Sequence, residues 1–183
     1  APKIEIGRDG VKRWVFVGTG KLLDTTDFTD AQQQTLYAIR DGSVSKVYGS
    51  ESNNETKLPT VITAGFPVSR SNMVAVTDLT TGYSEDANKP MGWYFDLAVT
   101  SGTAEKISSA LTANEGLIAW TGYIPATSDP CSPGASSRVY VVDYDSAKSR
   151  LTNKSDSDTI IAYFESPSTL IKVQFLKSPK GKI

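Results

Sequence analysis

The stretch from Trp14 to Gly42, WVFVGTGKLLDTTDFTDAQQQTLYAIRDG, constrains the fold more than any other part of the chain. A short apolar run reaches the glycine pair Gly18 and Gly20, the mark of a strand end that turns where a side chain has no room. An acidic, threonine-rich loop follows. Gln34 to Arg40 then returns with Leu36 and Ile39 flanking Tyr37 and Ala38, a second strand closed by the turn pair Asp41-Gly42. Strand, long loop, strand, turn is a unit that propeller blades repeat.

The rest of the chain has the same punctuation. Lys3 to Ile6 and Val11 to Val17 flank a turn carrying Asp9-Gly10, which predicts a hairpin. Val44 to Tyr48 reads as a short strand before the polar loop Gly49 to Lys57, which has too little apolar content to bury. Leu58 to Ile62 and Met73 to Val76 fit strand or loop, and Leu79 to Gly82 is a turn. Gly92 to Val99 alternates Trp93, Phe95 and Leu97 against Tyr94, Asp96 and Ala98, the period of a half-buried strand. Glu105 to Leu111 and Gly116 to Tyr123 read as strands joined through Thr112 to Glu115. Pro125 to Ser137 is a long irregular loop, and Arg138 to Asp145, Thr159 to Phe164 and Ile171 to Leu176 complete the strands. These segments recur at the roughly 8- to 12-residue spacing of sandwiches and propellers. The expected class is all-β: antiparallel sheets with long loops.

At 183 residues the chain suffices for one domain with a real core. Common propellers use about 40 to 50 residues per blade, so this length makes three or four blades. The expectation is therefore one domain over 1–183, either a piece of a larger propeller or a compact β domain of its own. With 19 basic and 20 acidic residues there is no overall field to favour nucleic acid or an anionic membrane. No apolar segment approaches the roughly 20 residues of a membrane-spanning helix.

The chain has no histidine. That removes Ser-His-Asp and Cys-His nucleophiles and every histidine-ligated zinc site, although lysine or paired carboxylates remain as bases. Gly18-Thr19-Gly20-Lys21 resembles the tail of a phosphate-binding loop, but Val15 and Leu22 stand where that motif needs glycine and a hydroxyl residue. Ser43-Val44-Ser45-Lys46 has the spacing of a Ser-x-x-Lys pair in a setting that reads as a turn, without the partner motifs. Asp24, Asp27 and Asp30 crowd one loop and Asp156 and Asp158 another. Neither has the spacing, glycine and closing glutamate of a calcium loop, and Asp27 reads as the cap of a turn or short helix through Asp30 and Gln32. Cys131 stands alone, so no disulfide or CxxC site forms within these residues; it is either a packed thiol or a partner for a cysteine elsewhere. Trp14, Trp93 and Trp120 either line a sugar-binding face or fill the core, and alternating strand positions favour the core for Trp93 and Trp120. Asn54-Glu55-Thr56 and Asn153-Lys154-Ser155 satisfy the glycosylation sequon. Arg8-Asp9-Gly10 and Arg40-Asp41-Gly42 are turn formers, not integrin-binding tripeptides.

Three ordered stretches carry a family resemblance. Val15-Phe16-Val17-Gly18-Thr19-Gly20-Lys21-Leu22-Leu23 with Gln32 to Ile39, then Gly92-Trp93-Tyr94-Phe95-Asp96-Leu97, then Tyr123-Ile124-Pro125 through Asp129-Pro130-Cys131 to Val139-Tyr140-Val141-Val142-Asp143, together resemble the C-terminal propeller of the PilY1/PilC family of type IV pilus tip proteins. The matches span roughly residues 14 to 143. The resemblance implies a C-terminal portion of a larger β-propeller, extracellular at the cell surface or pilus tip after export through a bacterial periplasm. It implies a non-enzymatic module in adhesion and pilus biogenesis, with minor pilins or a surface receptor as partners. The family's calcium loop would lie upstream of Trp14, so no cofactor or metal is expected in this fragment, and no catalytic residue is assigned. Loops Asp24 to Gln34, Gly49 to Lys57 and Pro125 to Ser137 would face the partner. The alternatives are a quinoprotein-like propeller enzyme, which a lone cysteine disfavours, and a stand-alone carbohydrate-binding β domain.

Overall fold

The computed structural model describes residues 1–49, 58–63, 67–100, 102–125, 135–170 and 172–176. The fold is all-β, with short 3-10 turns at Thr25–Phe28 and Arg70–Asn72 as the helical pieces among these residues. Strands β1 (Lys3–Ile6), β2 (Lys12–Gly18), β3 (Thr35–Ser43), β4 (Val74–Val76) and β5 (Gly92–Asp96) make one sheet in the order β1-β2-β3-β5-β4. Strands β6 (Val99–Thr100) and β7 (Thr103–Ala104) form a two-stranded ribbon. Strands β8 (Thr112–Asn114), β9 (Leu117–Ile124), β10 (Ser136–Asp143) and β13 (Phe164–Ser166) make a second sheet in the order β13-β10-β9-β8, and β11 (Leu151–Thr152) pairs with β12 (Ile160–Ile161). The described residues thus form sheets of five and four strands and two two-stranded ribbons.

The predicted hairpin of the first two strands forms, with Ile4 opposite Val15 and Ile6 opposite Arg13. The strand-loop-strand unit of residues 14 to 42 forms as well, Phe16 facing Ala38 and Val17 facing Tyr37. Asp41-Gly42 does not close the second strand. The pair lies inside β3 as a bulge, two residues opposite the single Arg13, and Gly42 adopts φ +78° there. A Cβ at Gly42 would sit 2.2 Å from the Lys46 carbonyl oxygen, so glycine is required by space as well as by φ.

Several boundaries differ from the sequence expectation for local reasons. Glu105 to Leu111 is not a strand; Lys106 makes one bridge to Tyr123, and the ladder partner of β9 is instead Thr112–Asn114. Glu115 and Gly116 both take positive φ, 48° and 89°, so the turn lies two residues later than the polarity of Thr112 to Glu115 implied. Val44 to Tyr48 is not an extended strand, because Ser43 and Lys46 close a tight turn through Ser43 N–H to Lys46 C=O at 2.7 Å. Thr159 to Phe164 breaks into β12 and the start of β13, and residues 172–176 carry no strand. One pair departs from the antiparallel rule: β4 runs parallel to β5, Val74 beside Trp93, and residues 77–91 cross back over the sheet.

One face of the first sheet packs on one face of the second. Trp14, Phe16, Leu36, Ala38 and Trp93 meet Ile118, Trp120, Tyr140, Val142 and Tyr144, with Leu79, Leu97 and Ile107 filling the margins. Trp120 and Tyr140, paired across β9 and β10, stack at 4.6 Å and 5°. The three tryptophans are fully buried, the core placement that alternation favoured for Trp93 and Trp120. The other face of the first sheet is covered by Ile62, Met73 and Met91 against Tyr37, Ile39 and Tyr94.

Trp93 also donates its indole N–H to the Tyr144 carbonyl at 2.9 Å, joining the sheets by a polar bond inside the apolar seam. Replacing Trp93 by Ala removes the ring and orphans that carbonyl; the expected loss is about 3–5 kcal/mol of unfolding free energy. Urea unfolding of the variant reads this directly, and an unshifted midpoint would contradict the packing described.

Candidate binding surface

Of the three loops expected to face a partner, Asp24 to Gln34 is fully described. Residues 50–57 and 126–134, which carry most of the other two as well as Cys131 and the Asn54 sequon, lie outside the described residues. The loop leaves β2 through Gly18 and Gly20, both pressed on Ile107: a Cβ on Gly18 would come within 2.6 Å of that side chain, and one on Gly20 within 2.6 Å of its backbone nitrogen. Thr19 clamps the exit. Its N–H donates to the Thr35 carbonyl at 3.0 Å, and its hydroxyl accepts the Thr35 N–H at 2.8 Å. This is the strand-end turn, not a phosphate loop, and Lys21 turns to Asp27 at 3.4 Å.

The aspartates are structural struts. Asp24 caps the 3-10 turn by accepting the Thr26 N–H, and Asp27 accepts the Leu23 N–H at 2.7 Å and the Asp24 N–H at 3.0 Å. Asp27 thus caps backward onto Leu23 and Asp24, whereas the sequence reading pointed forward; it is Asp30 that accepts the Gln32 N–H, at 2.8 Å. The Leu23 amide is the main cause holding the Asp27 carboxyl below its ordinary range, and the Thr26 amide does the same for Asp24. Among the described residues no group of three or more acidic or cysteine side chains is arranged to hold a metal ion.

The loop's middle and end are tied to the body. Lys106, fully buried, donates its ammonium to the Asp30 carbonyl at 3.2 Å, with the Asp30 carboxylate 3.9 Å away, and the Ala104 N–H reaches the same carbonyl. Leu97 N–H donates to the Gln34 carbonyl at 2.9 Å, and the Gln33 side-chain amide donates to the Leu97 carbonyl. Exposed on this braced frame are Lys21, Leu23, Thr25, Thr26, Gln32 and Gln33, with Leu23 86% accessible.

Beside Lys106, Glu105 points the other way into the sheet seam. Its carboxylate accepts from the Tyr140 hydroxyl at 2.8 Å and from Arg138 at 3.1 Å, while Arg138 also reaches Glu165 at 3.2 Å and stacks over Tyr163 at 4.4 Å. Gly122 makes the room: any Cβ there would lie 1.7 Å from a Glu105 oxygen. Burial pushes the Glu105 carboxyl up, opposed by the Tyr140 and Arg138 bonds, and burial likewise raises the Tyr140 phenol. Glu105 and Tyr140 are buried, Arg138 and Glu165 reach the surface, and together they fasten the segment before β8 to β10 and β13.

The other sequence candidates separate. Ser43 Oγ accepts the Lys46 N–H at 3.1 Å, so the Ser-x-x-Lys spacing is a turn with Lys46 in water. Asn153 accepts from the Ser155 N–H and hydroxyl in an exposed Asx turn, and Asp156 accepts from Asp158 N–H and Thr159. Glu105, Lys106 and Arg138 were not singled out by sequence; the one signal was a glycine, Gly122, in mid-strand, which marks a close approach. The fold and this surface define an all-β scaffold that presents a braced loop. Comparison with protein-family models, curated proteins and solved structures found no match to the chain.

Because Asp27 titrates below its ordinary range when the loop is formed, its contribution is complete above the unfolded aspartate value and disappears as pH falls through the lower folded value. Amide exchange protection at Leu23 and Asp24 is expected to persist at neutral pH and to fall in acid below the ordinary aspartate range. Asp27→Ala removes it at every pH.

Proposed function

We propose that the protein is a non-enzymatic binding module of a type IV pilus-associated surface protein, acting in adhesion and pilus biogenesis as part of a β-propeller. The single observation that carries the reading is the set of ordered motif matches together with where they fall. Val15 to Leu23 and Gln32 to Ile39 frame the braced loop, Gly92 to Leu97 lies along β5 beside β3, and Tyr123 to Asp143 begins and ends on the paired strands β9 and β10. The resembled residues are thus those that build the scaffold and position one exposed loop.

The mechanism needs no chemistry. Rigid strands hold Leu23, Thr25 and Thr26 in one arrangement, so a partner meets them without the entropy cost of ordering a floppy segment. Minor pilins, or a receptor on the colonised surface, are the partners this reading implies, at an extracellular location.

Immobilised protein is expected to capture recombinant minor pilins in a surface plasmon resonance assay. Leu23→Asp, which leaves the caps and core untouched, lowers that affinity by about tenfold, the scale of one central apolar contact. Absence of binding to every minor pilin, together with no effect of the added protein on bacterial surface attachment, would overturn the proposal. Wild-type affinity in Leu23→Asp would remove this loop from it.

A further inference from the structure

Away from that loop, two cavities meet at Arg40 and Tyr48. One, about 390 Å³, continues past Tyr83, Glu85 and Lys89; the other, about 250 Å³, continues past Val11, Lys12 and Lys46. Together they run along the bulged end of β3, with Gly42 lining one and Gly92 the other. Four cations, Arg40, Lys12, Lys46 and Lys89, line this groove against the two carboxylates Glu85 and Asp86, on a chain whose overall charge is −1. Asp9 stands at the Lys12 end, 3.9 Å from its ammonium.

The groove already shows how it holds a carboxylate. One Glu85 oxygen lies 2.5 Å from Lys12 Nζ and 3.4 Å from an Arg40 nitrogen, although the Glu85 side chain is 58% exposed. Arg40 lies over the Trp14 ring at 5.3 Å, which fixes the plane of its guanidinium, and its buried Nε has no hydrogen-bond partner. Because that Nε is closed off, an incoming carboxylate meets Arg40 at its terminal nitrogens, one of which now faces Glu85. An exposed ion pair such as Glu85 makes contributes little, so an arriving carboxylate displaces it readily.

We infer that this groove docks an acidic peptide segment of a partner protein, one of whose carboxylates takes the place of Glu85 between Lys12 and Arg40. The two joined cavities suit an extended chain, and Tyr48 and Tyr83 offer it apolar walls. Glu85 and Asp86 in the wall oppose a continuous polyphosphate, which favours spaced carboxylates over nucleic acid. The inference does not rest on the pilus reading.

The test is fluorescence anisotropy of a labelled, end-blocked peptide of alternating Glu and Ala, titrated with the full chain. Saturable binding that weakens with salt is expected, and a Gln-Ala peptide should not bind. Glu85→Gln removes the internal competitor and should tighten binding by about two- to fivefold, the equivalent of one exposed ion pair. Lys46→Gln, on an exposed turn, should weaken it, as should Arg40→Gln if that variant keeps its fold. Unchanged or weaker binding in Glu85→Gln, equal binding of the Gln-Ala peptide, or preferential binding of a single-stranded oligonucleotide would each overturn the inference.

Discussion

Two indole N–H groups hold the sheets to one turn. Trp93 donates to the Tyr144 carbonyl and Trp14 to the Asp145 carboxylate at 3.0 Å, so both large rings of the first sheet end on consecutive residues just beyond β10. A buried indole usually finds a partner for its single polar atom, and Trp14 and Trp93 do so here, whereas the equally buried Trp120 nitrogen has none. The same turn accepts the Arg8 N–H on Asp145, donates from Tyr144 to the Ile6 carbonyl, and takes the Tyr83 N–H on Ser146. Apolar area drives the sheets together; these bonds choose how they meet.

The buried charges follow from that arrangement. Once the seam is fixed, the residues between the β6–β7 ribbon and β8 run along its edge, and alternation sends Glu105 into the seam and Lys106 toward the loop. Each is costly to bury alone and each is met by fixed partners, Arg138 and Tyr140 for one, the Asp30 carbonyl for the other. Loop and seam are therefore coupled through two neighbouring residues of opposite charge. They hold the loop and the seam in one arrangement, while the loop and the cationic groove face solvent.

The sequence made the strands legible where alternation and glycine agreed. Trp93 and its neighbours read correctly as a half-buried strand, and Gly18 and Gly20 read correctly as places with no room, although nothing in the sequence named Ile107 as the reason. The misplaced β8–β9 turn had a physical cause: Glu115 adopts positive φ, which its residue type disfavours, so polarity spread the connection over Thr112 to Glu115 and hid the strand in its first three residues. Asp41-Gly42 carries turn chemistry but serves as a bulge, a distinction that depends on pairing with Arg13. Glu105 and Lys106 read only as the start of a strand, and their burial was not legible, because burial of a charge depends on partners far along the chain that local pattern does not encode.

The Tyr144 hydroxyl and the Ile6 carbonyl are 138 positions apart and 2.7 Å from each other. Seam contacts of this separation cannot exist until most of the chain is present, and closing so long a span places their formation late. A nascent chain therefore holds its first β-sheet with an apolar flank open until residue 144 has been delivered. Through that interval the exposed flank, not the finished seam, sets the chain's tendency to associate with other chains.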